Sequence, residues 1–176
     1  VTRRFLGLDP GLRCTGYGAI ERDERGTLRL IEAGVLTPDP RAPLERRLGE
    51  LHAACSDVIA AVRPDVVVIE ELWTAYKHPS TAVLMGHARG VLCLAAFSAG
   101  LPVRDLAHAL VKRVLTGSGA ARKDQVNRMV VNQLRLEGAP EPNDVTDALA
   151  LALALAGIEA TEARFADAPS VLHRVR

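Results

Sequence analysis

Phe5-Leu6-Gly7-Leu8-Asp9-Pro10-Gly11 is a short apolar run that ends in an acid and a Pro-Gly pair. Pro-Gly is strong turn punctuation after a strand, so a first strand stops at Asp9. Outward from it, Thr15 to Glu21 and Leu28 to Leu36 are two more strand-like segments, joined through the charged, Gly-containing stretch Arg22 to Thr27, which suits a hairpin. An antiparallel meander of three strands therefore opens the fold. From Leu44, apolar residues recur at Leu48, Leu51, Cys55, Val58 and Val62, a stripe down a helix that Pro64 stops.

Val66 to Ile69 is a continuous apolar run followed by Glu70 and Glu71, as in a strand covered by helices on both faces. The crossover rule sets it beside the first strand and parallel to it. Ser80 to Ser98 reads as a second helix ending at Gly100, and Leu101 to Leu106 as a fifth strand. Shorter helices are expected at His108 to Leu115 and Lys123 to Leu136. The Leu149, Leu151, Leu153, Leu155 alternation is compatible with a strand, but Ala and Leu propensity and the Pro142-Asn143 start signal favour a helix over Asn143 to Ala156. The class is α/β, with one mixed five-stranded sheet and flanking helices.

A chain of 176 residues with 48% hydrophobic content buries one sizeable core and is short for two independent domains. We expect one domain over residues 1–163 and a flexible tail over 164–176, where a Pro and scattered charges show no periodicity. Net charge is only +1, so any nucleic-acid contact must rest on local charge. Cys14, Cys55 and Cys93 are far apart, without the paired spacing of zinc or redox sites, which fits reduced thiols in the cytoplasm. The stretch before Asp9 is too brief for a signal peptide, and no apolar run is read as membrane-spanning.

Asp9 ends the first strand and Glu70 or Glu71 the fourth, which makes their carboxylates neighbours at one sheet edge. Asp144 and Asp147, three apart, share one face of the last helix, with Leu151 and Leu155 continuing that face toward the core. Carboxylates gathered at one spot repel unless cations neutralise them, and four negative charges match two divalent ions. Such oxygen donors suit magnesium or manganese, and two ions about 4 Å apart serve phosphodiester hydrolysis. Simpler accounts exist for each acid alone: Asp9 as a turn former, Asp144 and Asp147 as first-turn acids favoured by the helix dipole, Glu70 as a strand end running into solvent. The combination favours a metal site.

Gly7-Leu8-Asp9-Pro10-Gly11 with Thr15-Gly16-Tyr17-Gly18 resembles the opening of the RuvC Holliday junction resolvases. Ile69-Glu70-Glu71 resembles the family's second acidic motif, Gly86-His87-Ala88-Arg89-Gly90-Val91 its Gly-x-Ala-Arg-Gly helix, and Asp144-Val145-Thr146-Asp147-Ala148-Leu149-Ala150 its closing pair of acids. Four motifs stand in register across about residues 4 to 157. The resemblance implies an RNase H-like fold, a homodimer and metal-dependent paired nicking of four-way junction DNA. It implies Asp9, Glu70, Asp144 and Asp147 as the catalytic, metal-holding acids, choosing Glu70 over Glu71 because the family's acid directly follows the Ile. It also implies partnership with the RuvA and RuvB branch-migration proteins.

Between Leu101 and Leu136, Arg104, Lys112, Arg113, Arg122, Lys123, Arg128 and Arg135 stand against Asp105 and Asp124. This excess of basic residues is either a solvated helix face or a phosphate-holding patch. The resemblance puts Lys112 and Lys123 near the scissile phosphate, with Lys123 the stronger candidate for stabilising developing charge. Trp73, the only tryptophan, either stacks on an unpaired base or covers the core or a partner, and the resemblance favours stacking. Lys77 and His78, in the same presumed loop, are candidate phosphate contacts, as are Arg113 and Arg122. No two of the five histidines lie at ligand spacing, so none is assigned to metal.

Two rival enzyme classes share the strand-Asp-x-Gly opening. Actin-like and sugar-kinase ATPases use two such domains and further phosphate motifs, and no Gly-rich phosphate loop of the usual kind is visible here. Against the second, a smaller RNA-processing nuclease family, the Ile69-Glu70 and Gly86-to-Val91 motifs favour the resemblance to RuvC. A non-catalytic junction-binding module would lack one of the acids, and all four are present.

Overall fold

A computed structural model describes residues 1–71 and 79–166. Its strands are β1 (Arg3–Asp9), β2 (Thr15–Arg22), β3 (Leu28–Leu36), β4 (Val66–Glu70) and β5 (Val103–Leu106). Its helices are α1 (Leu44–Val62), α2 (Pro79–Ser98), α3 (His108–Thr116), α4 (Lys123–Leu134) and α5 (Asn143–Ala166). The sheet order is β3-β2-β1-β4-β5. β1, β2 and β3 form the antiparallel meander, and β4 and β5 add parallel to β1 and β4, as the alternating pattern predicts for an RNase H-like fold.

Two apolar layers sandwich the sheet because successive strand residues point to opposite faces. Leu6, Leu8, Val67 and Ile69 pack with α1 and α2 through Leu51, Cys55, Leu92 and Ala96. Phe5, Ile20, Val66 and Val68 pack on the other face with α3, α4 and α5. Helix α5 is buried on every side from Val145 to Ala156 except at Asp147, which explains why its leucines show no amphipathic stripe. A helix apolar all round is a core helix, here covered by the sheet below and by α3 and α4 above.

Some expected boundaries shift for local reasons. β5 begins at Val103 because Pro102 has no N–H for the ladder, although its carbonyl accepts from the Val67 N–H at 3.0 Å. α4 stops at Leu134 because Arg135 turns left-handed, with φ of 54°. α5 runs through Ala166, so Arg164, Phe165 and Ala166, expected in the tail, are helical. The remaining tail residues, 167–176, lie outside the described residues.

The expectation that no segment reaches membrane-spanning length is corrected at α2: Ser80–Ser98 is long and apolar enough by composition. It nevertheless carries Arg89 and buries Ala88, Leu92, Ala95 and Ala96 against the sheet and α1. The core alone does not account for its composition, because Val83, Leu84, Leu94 and Phe97 stay exposed, Phe97 by 78%.

Glycines set how closely α5 approaches the sheet. A Cβ on Gly7 would lie 2.0 Å from the carbonyl oxygen of Ala148, and one on Gly16 equally close to that of Asp144. Gly7→Ala is therefore expected to lower stability by about 1–3 kcal/mol or more in urea unfolding, as overpacking against a rigid backbone does. Gly49→Ala, in α1 with open space around it, is expected to raise stability by up to about 1 kcal/mol.

Candidate active site

Strand phase aims the first two acids. Asp9 follows Phe5 and Gly7 at two-residue intervals on β1, and Glu70 follows Val66 and Val68 on β4, so both carboxylates project from the face that α5 covers. The β1–β4 register, Leu8 beside Ile69, brings the two strand ends together. Glu71 is out of phase and exposed beyond the strand, its N–H bonded to the Leu106 carbonyl at 3.0 Å, so the choice between Glu70 and Glu71 falls to Glu70. The turn after Asp9 is held by buried Thr15, whose hydroxyl donates to the Gly11 carbonyl at 2.6 Å and accepts the Gly11 N–H at 3.2 Å. Gly11 itself has no room for a Cβ, which would meet the Cys14 carbonyl oxygen at 2.2 Å.

The other two acids arrive with α5. Gly7, Gly16 and Gly18 lie on β1 and β2, with Gly7 paired to Gly18 and Gly16 to Asp9, and together they make a floor without side chains beneath Asp144, Ala148 and Leu149. The start of the helix is tied down by Thr146, wholly buried, whose hydroxyl donates to the Pro140 carbonyl at 2.9 Å. Asp144 reaches the turn after β1, where the Cys14 thiol lies 3.8 Å from its Oδ2.

The electrostatics record this crowding. The Asp9 carboxyl is raised to about 8, first by burial and then by the charges of Glu70, Asp147 and Asp144, with Lys123 acting the other way. The other three predicted acids thus all lie close enough to Asp9 to act on it. Two of them already hold cationic or hydrogen-bonding partners: Lys123 Nζ lies 2.8 Å from Asp147 Oδ2, and His108 Nδ1 lies 2.9 Å from Glu70 Oε1. Among the described residues no three His, Cys, Asp or Glu side chains stand at metal-ligating spacing. In charge and in donor chemistry the four acids fit hard divalent cations: oxygen donors, an excess of negative charge, and one acid that burial and its neighbours hold protonated near neutrality.

A cleft beside the acids is lined by Glu70, His108, Val111, Lys112, Lys123 and Asp147, with Val126, Ala150 and Leu151 as its apolar wall. Lys112 and Lys123 are therefore gathered with the acids. Arg122 sits beside Lys123 at the start of α4 but pairs with Asp124 at 3.1 Å, and exposed Arg113 is not among the cleft-lining residues. Arg128 also pairs with Asp124, and Arg104 with Glu162. Trp73, Lys77 and His78 lie outside the described residues.

Sequence spacing missed two participants. Arg89, in α2, donates to the Glu70 carbonyl at 3.3 Å and pairs with Asp105, tying the ends of β4 and β5 to α2. His108 contacts Glu70 because Leu106 pairs with Glu70 in the sheet and α3 begins two residues later. A search for histidines near one another along the chain does not find a histidine whose partner is an acid 38 residues away.

Comparison with known proteins agrees with this architecture. Residues 5–155 match the family described as crossover junction endodeoxyribonuclease RuvC. The crossover junction endodeoxyribonuclease RuvC of Rhodopirellula baltica is 49% identical over 149 residues, which are 85% of this chain and 83% of that protein. Thermus thermophilus RuvC superposes with a TM-score of 0.84 at 35% identity, covering 90% of this chain and 96% of that one. T. thermophilus RuvC in complex with Holliday junction substrate superposes with a TM-score of 0.81 at 32% identity and the same coverage. The RNase H-like α/β fold, the acids at its sheet edge and a match along most of the chain lead to one conclusion: the chain belongs to the RuvC family of crossover junction endodeoxyribonucleases.

Proposed function

We propose that this chain is a cytoplasmic resolvase that, as a homodimer, nicks four-way DNA junctions at symmetric positions during recombination and repair, by divalent-metal-dependent phosphodiester hydrolysis. The observation that carries the reading is the convergence of Glu70, Asp144 and Asp147 on Asp9 at one sheet edge of a RuvC family member. Asp9, Glu70, Asp144 and Asp147 would hold Mg2+ or Mn2+, two ions matching their charge. Such ions, when bound, supply an activated water and neutralise charge on the leaving oxygen.

The chain's own groups do the rest. Lys123, beside Asp147 in the cleft, offers an ammonium to the phosphoryl oxygens as negative charge grows on them. Lys112, on the same cleft wall, holds the backbone, and Arg113 and Arg122 extend this basic rim along α3 and α4. By resemblance to the family, Trp73 stacks on a base opened at the junction and the RuvA and RuvB branch-migration proteins are partners, while Lys77, near Trp73 in sequence, is a candidate phosphate contact.

Paired nicking needs two sites at a set spacing, which a C2 dimer supplies. The exposed side of α2, with Val83, Leu84, Leu94 and Phe97 beside His87 and Val91, is the surface we assign to the second copy. Its apolar stripe is not covered among the described residues, and it lies on the helix whose Arg89 grips the Glu70 strand end.

The deciding experiment incubates the protein with a labelled four-way junction and a matched linear duplex, with Mg2+, Mn2+ or chelator. Metal-dependent symmetric nicking of the junction alone is expected. Asp144→Asn should slow it by on the order of 10²-fold or more while junction binding in chelator persists. Equal cleavage by that variant, or no cleavage with either metal, defeats the four-acid mechanism.

Asp9 predicts a pH signature in stability. A carboxyl raised from 3.8 to about 8 in the folded protein contributes stability that is full below about pH 4 and lost as pH rises to about 8. The metal-free thermal midpoint should therefore fall between about pH 5 and about pH 8, and Asp9→Asn should flatten that fall. Mg2+ or Mn2+ should raise the midpoint more at the higher pH. For the dimer, sedimentation at about 10 μM should give two copies for the parent and one for Phe97→Glu with Leu94→Glu, the latter still folded but without paired nicking. A parent that sediments as a monomer counts against the assignment.

A further inference from the structure

His108 stands at the acidic edge with no function assigned to it by the sequence, and its position is not incidental. The β4–β5 ladder pairs Glu70 with Leu106, and the Glu71 N–H donates to the Leu106 carbonyl at 3.0 Å. Ala107 is extended, and α3 starts at His108, so sheet register itself delivers the imidazole to the Glu70 side chain. Nδ1 lies 2.9 Å from Glu70 Oε1. A carboxylate can only accept, so Nδ1 carries the hydrogen and donates, and Glu70 keeps its second oxygen for another ligand. The Glu70 backbone is held as well, by Arg89 on its carbonyl at 3.3 Å.

We propose that His108 is a positioning residue for Glu70, holding its carboxylate in one orientation so that a divalent cation meets an acid already in place. This rests on the four-acid reading of the site and goes beyond it, since it makes cation affinity depend on a residue outside the acids. The physical basis is conformational. A free glutamate at a strand end samples many orientations and turns away from neighbouring acids, and fixing it must otherwise be done by the cation at the expense of its affinity. An isolated exposed pair of this kind contributes little to folding, so the effect should appear in cation binding and not in stability.

The test titrates Mn2+ into the full chain without DNA, following free Mn2+ by its EPR signal, for the parent, His108→Ala, His108→Asn and Glu70→Gln. Asparagine can place its amide N–H where Nδ1–H stands. His108→Ala should weaken Mn2+ binding by about tenfold, the scale of losing a group that orients a ligand. His108→Asn should stay within about threefold of the parent, and metal-free thermal midpoints should be unchanged. In junction nicking, the Mn2+ concentration for half-maximal rate should rise for His108→Ala, with the rate at saturating Mn2+ retained. Parent-like Mn2+ binding by His108→Ala, or equal losses in the Ala and Asn variants, overturns the proposal while leaving the four-acid site standing. Parent-like binding by Glu70→Gln overturns that site, and the positioning of Glu70 with it.

Discussion

The close seating of α5 on β1 and β2 is the constraint on which the rest depends. Helix backbone packs directly on the sheet at Gly7 and Gly16, and the Leu149 side chain fills the space over Gly18. This contact sets the height of α5 above the sheet and so the reach of Asp144 and Asp147 toward Asp9 and Glu70. The same glycines weaken the strands that contain them, since glycine loses most conformational freedom on ordering. The buried leucines of α5 offset that cost: Leu149, Leu153 and Leu155 are almost wholly removed from water, each contributing on the order of 1.5–3 kcal/mol. Site geometry and core packing are one structure.

Bringing four acids together in this way is electrostatically unfavourable, and the molecule shows how it is tolerated. Asp9, the most enclosed, is pushed toward its neutral form. Asp147 leans on Lys123 and Glu70 on His108, each partner coming from the first residue of a helix on the far side of the cleft. The cleft thus has an acidic floor and a wall with basic groups, an arrangement suited to an anion approached by cations. The starts of α3 and α4 belong to the site as much as the strand ends do.

The opposite face of the sheet is organised differently. α1 and α2 cover it, but α2 is apolar beyond what the core uses, with Val83 59% and Phe97 78% exposed. An exposed apolar stripe of this kind is a common mark of an interaction surface. Arg89 ties that helix to the strand end bearing Glu70, so whatever rests on α2 is mechanically close to the acids.

The element order was legible in the sequence because each element carries its own period and stop signal: Pro-Gly after Asp9, Pro64 after α1, Gly100 after α2. The meander of β1, β2 and β3 and the place of β4 beside β1 followed from short connections and the crossover rule, whereas the place of β5 at the edge beside β4 is seen only in the structure. Asp9, Asp144 and Asp147 were legible as candidates because acids at a strand end and at one face of a helix start are local patterns. What the local patterns could not contain was decided by tertiary structure. Spacing alone left Glu70 and Glu71 open, the resemblance pointed to Glu70, and strand phase puts Glu70 on the face that α5 covers; the partners His108 and Arg89 came from register between β4 and β5 and from the lie of α2. The charge state of Asp9 came from burial beneath a helix more than 130 residues further along the chain. Periodicity and turn chemistry act over a few residues and are written in order. Proximity between distant segments, and the pKa shifts it causes, exist only once the apolar surfaces have found each other.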